Sequence, residues 1–213
     1  TGSYSVSIKG ASVCPTVMSD ISVVSINLKP TIASAPMGTS QVCLDSMIMI
    51  TSNATNNSGI EWFKNGVSVA TTIDLVIPVA AYSDSAYYSY KAIALPSCVD
   101  TLSDSFKVTV NTPITIVSQP TANQTLCEGN SLTLNVVAAG SGPYTYQWKK
   151  NGVDISGETA DSFKIVSVST SDAAVYTCNV SGVSVCYSVL SNGATVTVNS
   201  KPVITQNPMT SSV

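Results

Sequence analysis

An all-β chain of tandem two-sheet sandwiches, about seven strands in each, is what this sequence predicts. Three observations carry the prediction. Tyr, Cys and Pro recur in order with a period of about 84 to 88 residues, short runs alternate apolar and polar residues, and two Asn-Gly pairs read as tight hairpin turns. No ten-residue stretch combines helical periodicity with caps.

The repeat appears first in three aligned segments, YSVSIKGASVC, YSYKAIALPSC and YTCNVSGVSVC, in which Tyr4, Tyr88 and Tyr176 precede Cys14, Cys98 and Cys186 by ten residues. Fifteen or sixteen residues beyond each Cys stands a proline: Pro30, Pro113 and Pro202. Upstream, Cys43 and Cys127 open the alternating runs MIMI and SLTL, Trp62 and Trp148 follow within EWFKNG and QWKKNG, and Asp84 and Asp172 stand four residues before Tyr88 and Tyr176. The phase predicts that residues 1–30 hold the last two strands of a repeat, 31–112 and 113–200 two whole repeats, and 201–213 the first strand of another. Because a lone hairpin cannot bury its apolar face, the chain is expected to be an excerpt of a longer polypeptide or a subunit completed by neighbours.

Strand-like alternation marks PITIVS, SLTLNVV, YTYQWKK, SFKIVSV, VYTCNVS and ATVTVN, with turns at Asn65-Gly66 and Asn151-Gly152. Composition narrows the chemistry. The 213 residues include 9 Lys+Arg, 12 Asp+Glu and no His, with a mean hydropathy of +0.29 and roughly a quarter Ser and Thr. Without His there is no Ser-His-Asp triad, no His-bearing metal site and no imidazole switch. A net charge of −3 argues against binding nucleic acid, which depends on Lys and Arg releasing counterions. No window approaches 18 consecutive apolar residues, so no membrane insertion of this segment is expected. Six cysteines without a CxxC pair argue for disulfides formed in an oxidising compartment.

The span Gly129 to Leu134, Trp148, and the D-x-A-x-Y-x-C signature of Asp172, Ala174, Tyr176 and Cys178 resemble immunoglobulin-like domains. The resemblance makes Trp62, Trp148, Tyr88 and Tyr176 core markers. Its usual strand-B cysteine falls at Val136 and Ser52, and Tyr90 takes the place of Cys178, so the standard core disulfide cannot form in either repeat. The added cysteines before strand B and after strand F resemble repeats of large Bacteroidota surface proteins, including gliding-type adhesins exported by the type IX pathway. That likeness implies an extracellular, bacterial cell-surface, adhesive or structural role, without catalytic residues or cofactor.

The cysteines admit two pairings. Within repeats, Cys43 would join Cys98 and Cys127 would join Cys186, but the turn before strand B and the F–G turn lie at opposite ends of this fold. About seven residues of strand height, roughly 20 Å, separate them, against the ~7 Å between Cα atoms that a disulfide allows. In a head-to-tail array those ends face each other, so the preferred pair is Cys43 with Cys186, with Cys14, Cys98 and Cys127 bonded to units outside this chain. Cys178 is expected to be a buried free thiol opposite Val136.

Other candidates are weaker. Asp154, Glu158 and Asp161 form an acidic cluster whose spacing fits a solvated loop better than a calcium site. The tryptophans fit a core better than a sugar-stacking platform, and Tyr87, Tyr90, Tyr144 and Tyr146 alternate as strand residues do. The triplets DSM, DSA and DTL place O-glycosylation candidates at Ser46, Ser85 and Thr101. The function expected is a load-bearing repeat segment of a surface adhesin or filament, not an enzyme. Its partners would be neighbouring repeats, other copies associated laterally into fibres, and surface glycans. The alternative is a glycan-binding accessory module of a secreted enzyme or lectin.

Overall fold

A computed structural model describes residues 1–12 and 14–206. Among them there is no α-helix, and no helix long and apolar enough to cross a membrane; two 3-10 turns, Tyr82–Asp84 and Thr170–Asp172, interrupt an otherwise all-β chain. The chain divides into two compact units, Thr1–Ser40 with Met47–Pro78 and Ser83–Thr109, and Gln41–Ser46 with Val79–Tyr82 and Val110–Val213.

The first unit opens with a hairpin. β1 (Gly2–Tyr4) pairs with β4 (Ser22–Val24), and between them β2 (Ser7–Ile8) pairs with β3 (Val17–Met18). There follow β5 (Thr31–Ile32) and β6 (Met37–Gly38), while β7 (Gln41–Cys43) falls in the second unit. The first unit continues through β8 (Ile48–Thr51), β9 (Ala54–Thr55), β10 (Gly59–Lys64), β11 (Val67–Ala70), β12 (Leu75–Ile77), β13 (Ala86–Ile93), β14 (Thr101–Leu102) and most of β15 (Phe106–Asn111). One sheet runs β11-β10-β13-β15 with β14 along β13, the other runs β12-β8-β6, and β5 pairs with β9. Alternation along β13 turns Ala86, Tyr88, Tyr90 and Ala92 inward, where they meet Ile48, Ile50, Ile60, Trp62 and Leu75 in the buried core.

The second unit repeats the plan with β16 (Thr115–Ser118), β17 (Gln124–Cys127), β18 (Leu132–Asn135), β19 (Val137–Ala139), β20 (Thr145–Lys150), β21 (Val153–Asp154), β22 (Ser162–Ile165), β23 (Ala174–Ser181), β24 (Val189–Leu190) and β25 (Ala194–Asn199). Its larger sheet runs β17-β25-β23-β20-β21, with β24 along β23; β18 pairs with β22 and β16 with β19. The SLTLNVV run, expected as one strand, divides at Val136, whose N–H donates to the Asp161 carbonyl while the two halves pair with different partners. Leu132, Leu134, Val136, Trp148, Phe163, Tyr176, Cys178 and Val196 lie in its core. Phe163 stacks on Tyr176 at 5.3 Å and stands 5.7 Å from Trp148. Residues 201–206 hold no strand, so the strand expected over 201–213 is not seen in its described part, and 207–213 lie outside the described residues.

Local chemistry explains the shared details. Asn65 and Gly66 have φ of 49° and 82°, and Asn151 and Gly152 have 51° and 83°. Two successive positive φ values suit Asn-Gly and close a hairpin whose twist matches its strands. Tyr88 donates its hydroxyl to the Asp84 carbonyl at 3.0 Å and Tyr176 to that of Asp172 at 2.9 Å, so each ring is buried while its polar tip is satisfied. Where Cys178 stands in the second unit, the first carries Tyr90, 5.2 Å from Trp62 between ring centroids; its hydroxyl accepts from Asn53 N–H at 3.0 Å.

One ladder occurs three times. Tyr4 opposes Ser22, Tyr88 opposes Phe106, and Tyr176 opposes Ala194, so the offsets between partners are identical (22 − 4, 106 − 88 and 194 − 176 all give 18). Further along, Ile8 opposes Val17, Ala92 opposes Thr101, and Val180 opposes Val189. A serine seals each ladder where the second strand jogs. Ser19, Ser103 and Ser191 accept at their hydroxyls from the N–H groups of Val6, Tyr90 and Cys178, at 3.0, 2.9 and 2.8 Å. The N–H of each serine returns a bond to the carbonyl of the same residue.

Candidate functional site: the cysteine-bearing turns

The second unit contains the disulfide of the structure, Cys43 to Cys186, with Cα atoms 5.3 Å apart and a sequence separation of 143. Each partner stands on a turn with a local cause. Cys43 ends β7, and the chain reverses at once: Ser46 N–H donates to the Cys43 carbonyl at 3.1 Å, with Asp45 at φ 65°. Leu44 N–H reaches the Asn111 carbonyl at 2.9 Å, and the Asn111 side-chain amide donates to Val42 O at 3.1 Å, fastening the turn to the end of β15. Cys186 closes a turn in which its N–H donates to the Val183 carbonyl at 3.0 Å. Ser141 ties that turn to the chain at Thr112. Its hydroxyl accepts from Thr112 N–H at 2.9 Å, its N–H donates to the Thr112 carbonyl at 3.1 Å, and its carbonyl accepts from Val183 N–H at 3.3 Å. Gly182 is required there, because a Cβ would run into Ile114 and the Ser141 carbonyl.

The remaining cysteines are unbonded: Cys14 and Cys127 are exposed, Cys98 is half-buried, and Cys178 is buried. Neither within-repeat pair, Cys43 with Cys98 or Cys127 with Cys186, is formed. Burial pushes the Cys178 thiol up to about 11, so it stays protonated in neutral water and is a poor nucleophile. It shares its core with Val136.

The tryptophans are wholly inside. Trp62 donates its indole N–H to the Thr72 carbonyl at 3.0 Å and Trp148 to that of Ala160 at 2.9 Å, which rules out sugar stacking on either ring. Tyr88 and Tyr176 are pushed up to about 12 by burial and then by the charges of Asp84 and Asp172. The Asp172 carboxyl is held below its usual range chiefly by the Ser169 N–H, at 2.9 Å. Tyr90 is buried, Tyr144 and Tyr146 are half-buried, and Tyr87 is exposed with Lys107 above its ring at 5.9 Å. Asp154 pairs with Lys149, and among the described residues no three His, Cys, Asp or Glu side chains are grouped to hold a metal. Ser46 and Ser85 lie on exposed backbone, whereas Thr101 donates its hydroxyl to the Pro30 carbonyl at 3.0 Å.

Sequence reasoning missed Ser141, Gly182 and the ladder serines. A signal existed for the last: MSD, LSD and LSN occur at 18–20, 102–104 and 190–192, one period apart.

Residues 114–182 match the family model described as "Immunoglobulin domain". Among curated proteins, a segment of 65 residues is 37% identical to the "Decoration protein" of Escherichia phage T5; it covers 30% of this chain, and the chain spans 40% of that relative. Among solved structures, a three-domain titin fragment, I67–I69 in a mutated variant, superposes with a TM-score of 0.69 at 16% identity, covering 84% of this chain and 69% of the fragment. Three N-terminal domains of the Highly Immunogenic Outer Capsid protein of bacteriophage RB49 superpose with a TM-score of 0.64 at 15% identity, covering 93% of this chain and 79% of that one. The chain folds as tandem immunoglobulin-like β-sandwiches.

Proposed function

We propose that this chain is a non-catalytic, load-bearing segment of an extracellular surface protein, acting by spacing and by transmitting tension. The observation that carries the reading is the Cys43–Cys186 bond, which closes a ring across 143 positions. Tension entering at Cys43 leaves at Cys186 through one covalent bond, and the intervening residues need not unfold. A disulfide also fits an oxidising, extracytoplasmic setting. The finer setting we favour is the bacterial cell surface, on an adhesin of the gliding type found in Bacteroidota, where neighbouring repeats and laterally associated copies would be the partners. Serine- and threonine-rich faces, Ser46 and Ser85 among them, would suit glycosylation there. A second reading, that the chain decorates a phage capsid, is favoured by the likeness to the T5 decoration protein and the RB49 outer capsid protein.

Pulling single molecules from their two ends tests the load path. Reduction should lengthen the unfolded chain by about 500 Å, 143 residues at about 3.5 Å each. Equal extension of oxidised and reduced chains would overturn it. Immunogold labelling then separates the settings, with label on the envelope of whole cells for the first reading and on virus particles for the second.

A further inference from the structure

The turn that carries Cys127 reproduces the turn that carries the bonded Cys43. Asn130 N–H donates to the Cys127 carbonyl at 3.0 Å as Ser46 does to Cys43, and Glu128 N–H reaches the Asn199 carbonyl at 2.8 Å as Leu44 reaches Asn111. Gly129 takes φ 89° where Asp45 takes 65°. Gly129 N–H donates to the Val168 carbonyl and Val168 N–H to Asn130, both at 2.8 Å, just as Asp45 and Ser46 bond with Ala80. On the other side, Cys98 sits in its turn as Cys186 does, its N–H donating to the Leu95 carbonyl at 3.0 Å. The Cys98 thiol meets the chain that precedes its own repeat, donating to the Asn27 carbonyl at 3.5 Å, and the Cys186 sulfur lies 3.9 Å from the Thr112 carbonyl, likewise just ahead of its own repeat. Two cysteines thus stand in settings whose counterparts, in this same chain, are joined. The bonded Cys43 is buried and the unbonded Cys127 exposed.

We propose that Cys98 and Cys127 are the two open halves of the bond seen at Cys43–Cys186. Each cysteine before strand B (Cys43 before β8, Cys127 before β18) pairs with the F–G cysteine (Cys98 between β13 and β14, Cys186 between β23 and β24) of the repeat that follows it. Cys127 takes an F–G cysteine one repeat further along the polypeptide, and Cys98 takes a strand-B-side cysteine one repeat earlier. Formation removes two protons and two electrons. The Cys127 thiolate attacks a small disulfide oxidant of the glutathione disulfide class and releases one thiol. The partner thiolate then attacks the mixed disulfide at the Cys127 sulfur, and the second oxidant thiol leaves. The successive rings overlap, because Cys127 lies inside the loop that Cys43 and Cys186 close.

The test extends the full chain. A second copy of residues 113–200 inserted after Ser200 supplies the missing partner of Cys127, and a second copy of residues 30–112 inserted before Pro30 supplies that of Cys98. Each protein is oxidised with glutathione disulfide, alkylated, digested without reductant and mapped. The first should yield a peptide joining Cys127 to the inserted copy of Cys186, with Cys127 lost from the alkylated fraction and Cys43–Cys186 retained. The second should yield Cys98 joined to the inserted copy of Cys43. Resistance of the inserted copy of Cys178 to alkylation before denaturation reports that the first insertion has folded; where it reacts, the second protein decides. Cys127 alkylated in a folded first protein, Cys98 alkylated in the second, or either cysteine scattered among several partners overturns the proposal.

Discussion

Tyr4 and Tyr88 occupy the same place in the same ladder, yet Tyr4 is 62% exposed and Tyr88 fully buried. Ile8 and Ala92 repeat the contrast, at 70% and 0%. The hairpin of residues 2–24 therefore has the pairing, the offsets and the serine seal of its two counterparts without their cover. Ladder register follows from local pattern, in which alternating side chains and one serine select the partners. Burial has another source: in the two later copies β8 and β12, and β18 and β22, supply the facing sheet.

Truncating the ring gives the largest expected break in this comparison. Tyr88→Ala and Tyr176→Ala should each lower stability by about 3 to 5 kcal/mol, as for other large buried rings. Tyr4→Ala should stay within about 0.5 kcal/mol. Urea unfolding followed by the fluorescence of Trp62 and Trp148 measures all three, and equal losses at the three positions would dissolve the distinction. The bonded and unbonded cysteines sharpen it next. Cys43→Ser opens the ring and should cost about 2 to 5 kcal/mol in the unfolding of the second unit, whereas Cys127→Ser should leave the midpoint unchanged.

Alkali should separate buried from exposed groups without mutation. Cys178 loses its proton near 9 in the unfolded chain and near 11 when folded. Between those values the unfolded chain binds fewer protons, so stability falls as pH rises, having been intact below about 9. Tyr88 and Tyr176 extend the fall from about 10 to about 12. Melting temperature should decline across pH 9 to 12, and Cys178→Ala should flatten its lower part; a flat profile throughout would contradict the burial of all three groups. The smallest effect belongs to the serines. Ser103→Ala and Ser191→Ala leave a buried N–H without its acceptor, at about 1 to 2 kcal/mol, while Ser19→Ala, in the exposed hairpin, should be silent in the same urea titration.

What was legible in the sequence follows the same division. Cys is scarce, so the ten-residue spacing from Tyr to Cys and the four-residue spacing from Asp to Tyr stood out and revealed both the period and the core tyrosines Tyr88 and Tyr176. The serines at 19, 103 and 191 repeat just as faithfully but are hidden in a chain of which roughly a quarter is Ser and Thr. Gly182 and Ser141 were unreadable for a different reason: their roles depend on Ile114 and Thr112, dozens of residues away, and no local pattern encodes that meeting. The parallel pairing of β17 with β25, which sets Cys127 opposite Asn199, is likewise long-range. The missing core disulfide was visible as Val136 and Ser52, but the way Tyr90 takes up the space, with its hydroxyl bound to Asn53, depended on three-dimensional packing.

The Cys43–Cys186 ring also decides what damage looks like. A protease that cuts anywhere between residues 44 and 185 severs the backbone but releases no fragment, because both new ends are still joined through the sulfurs. A chain displayed among secreted proteases would thus carry nicks without shedding what lies beyond them. A second cut within the ring would free only the segment between the two cuts, while what lies on either side of the ring would stay joined until the sulfur link itself was reduced.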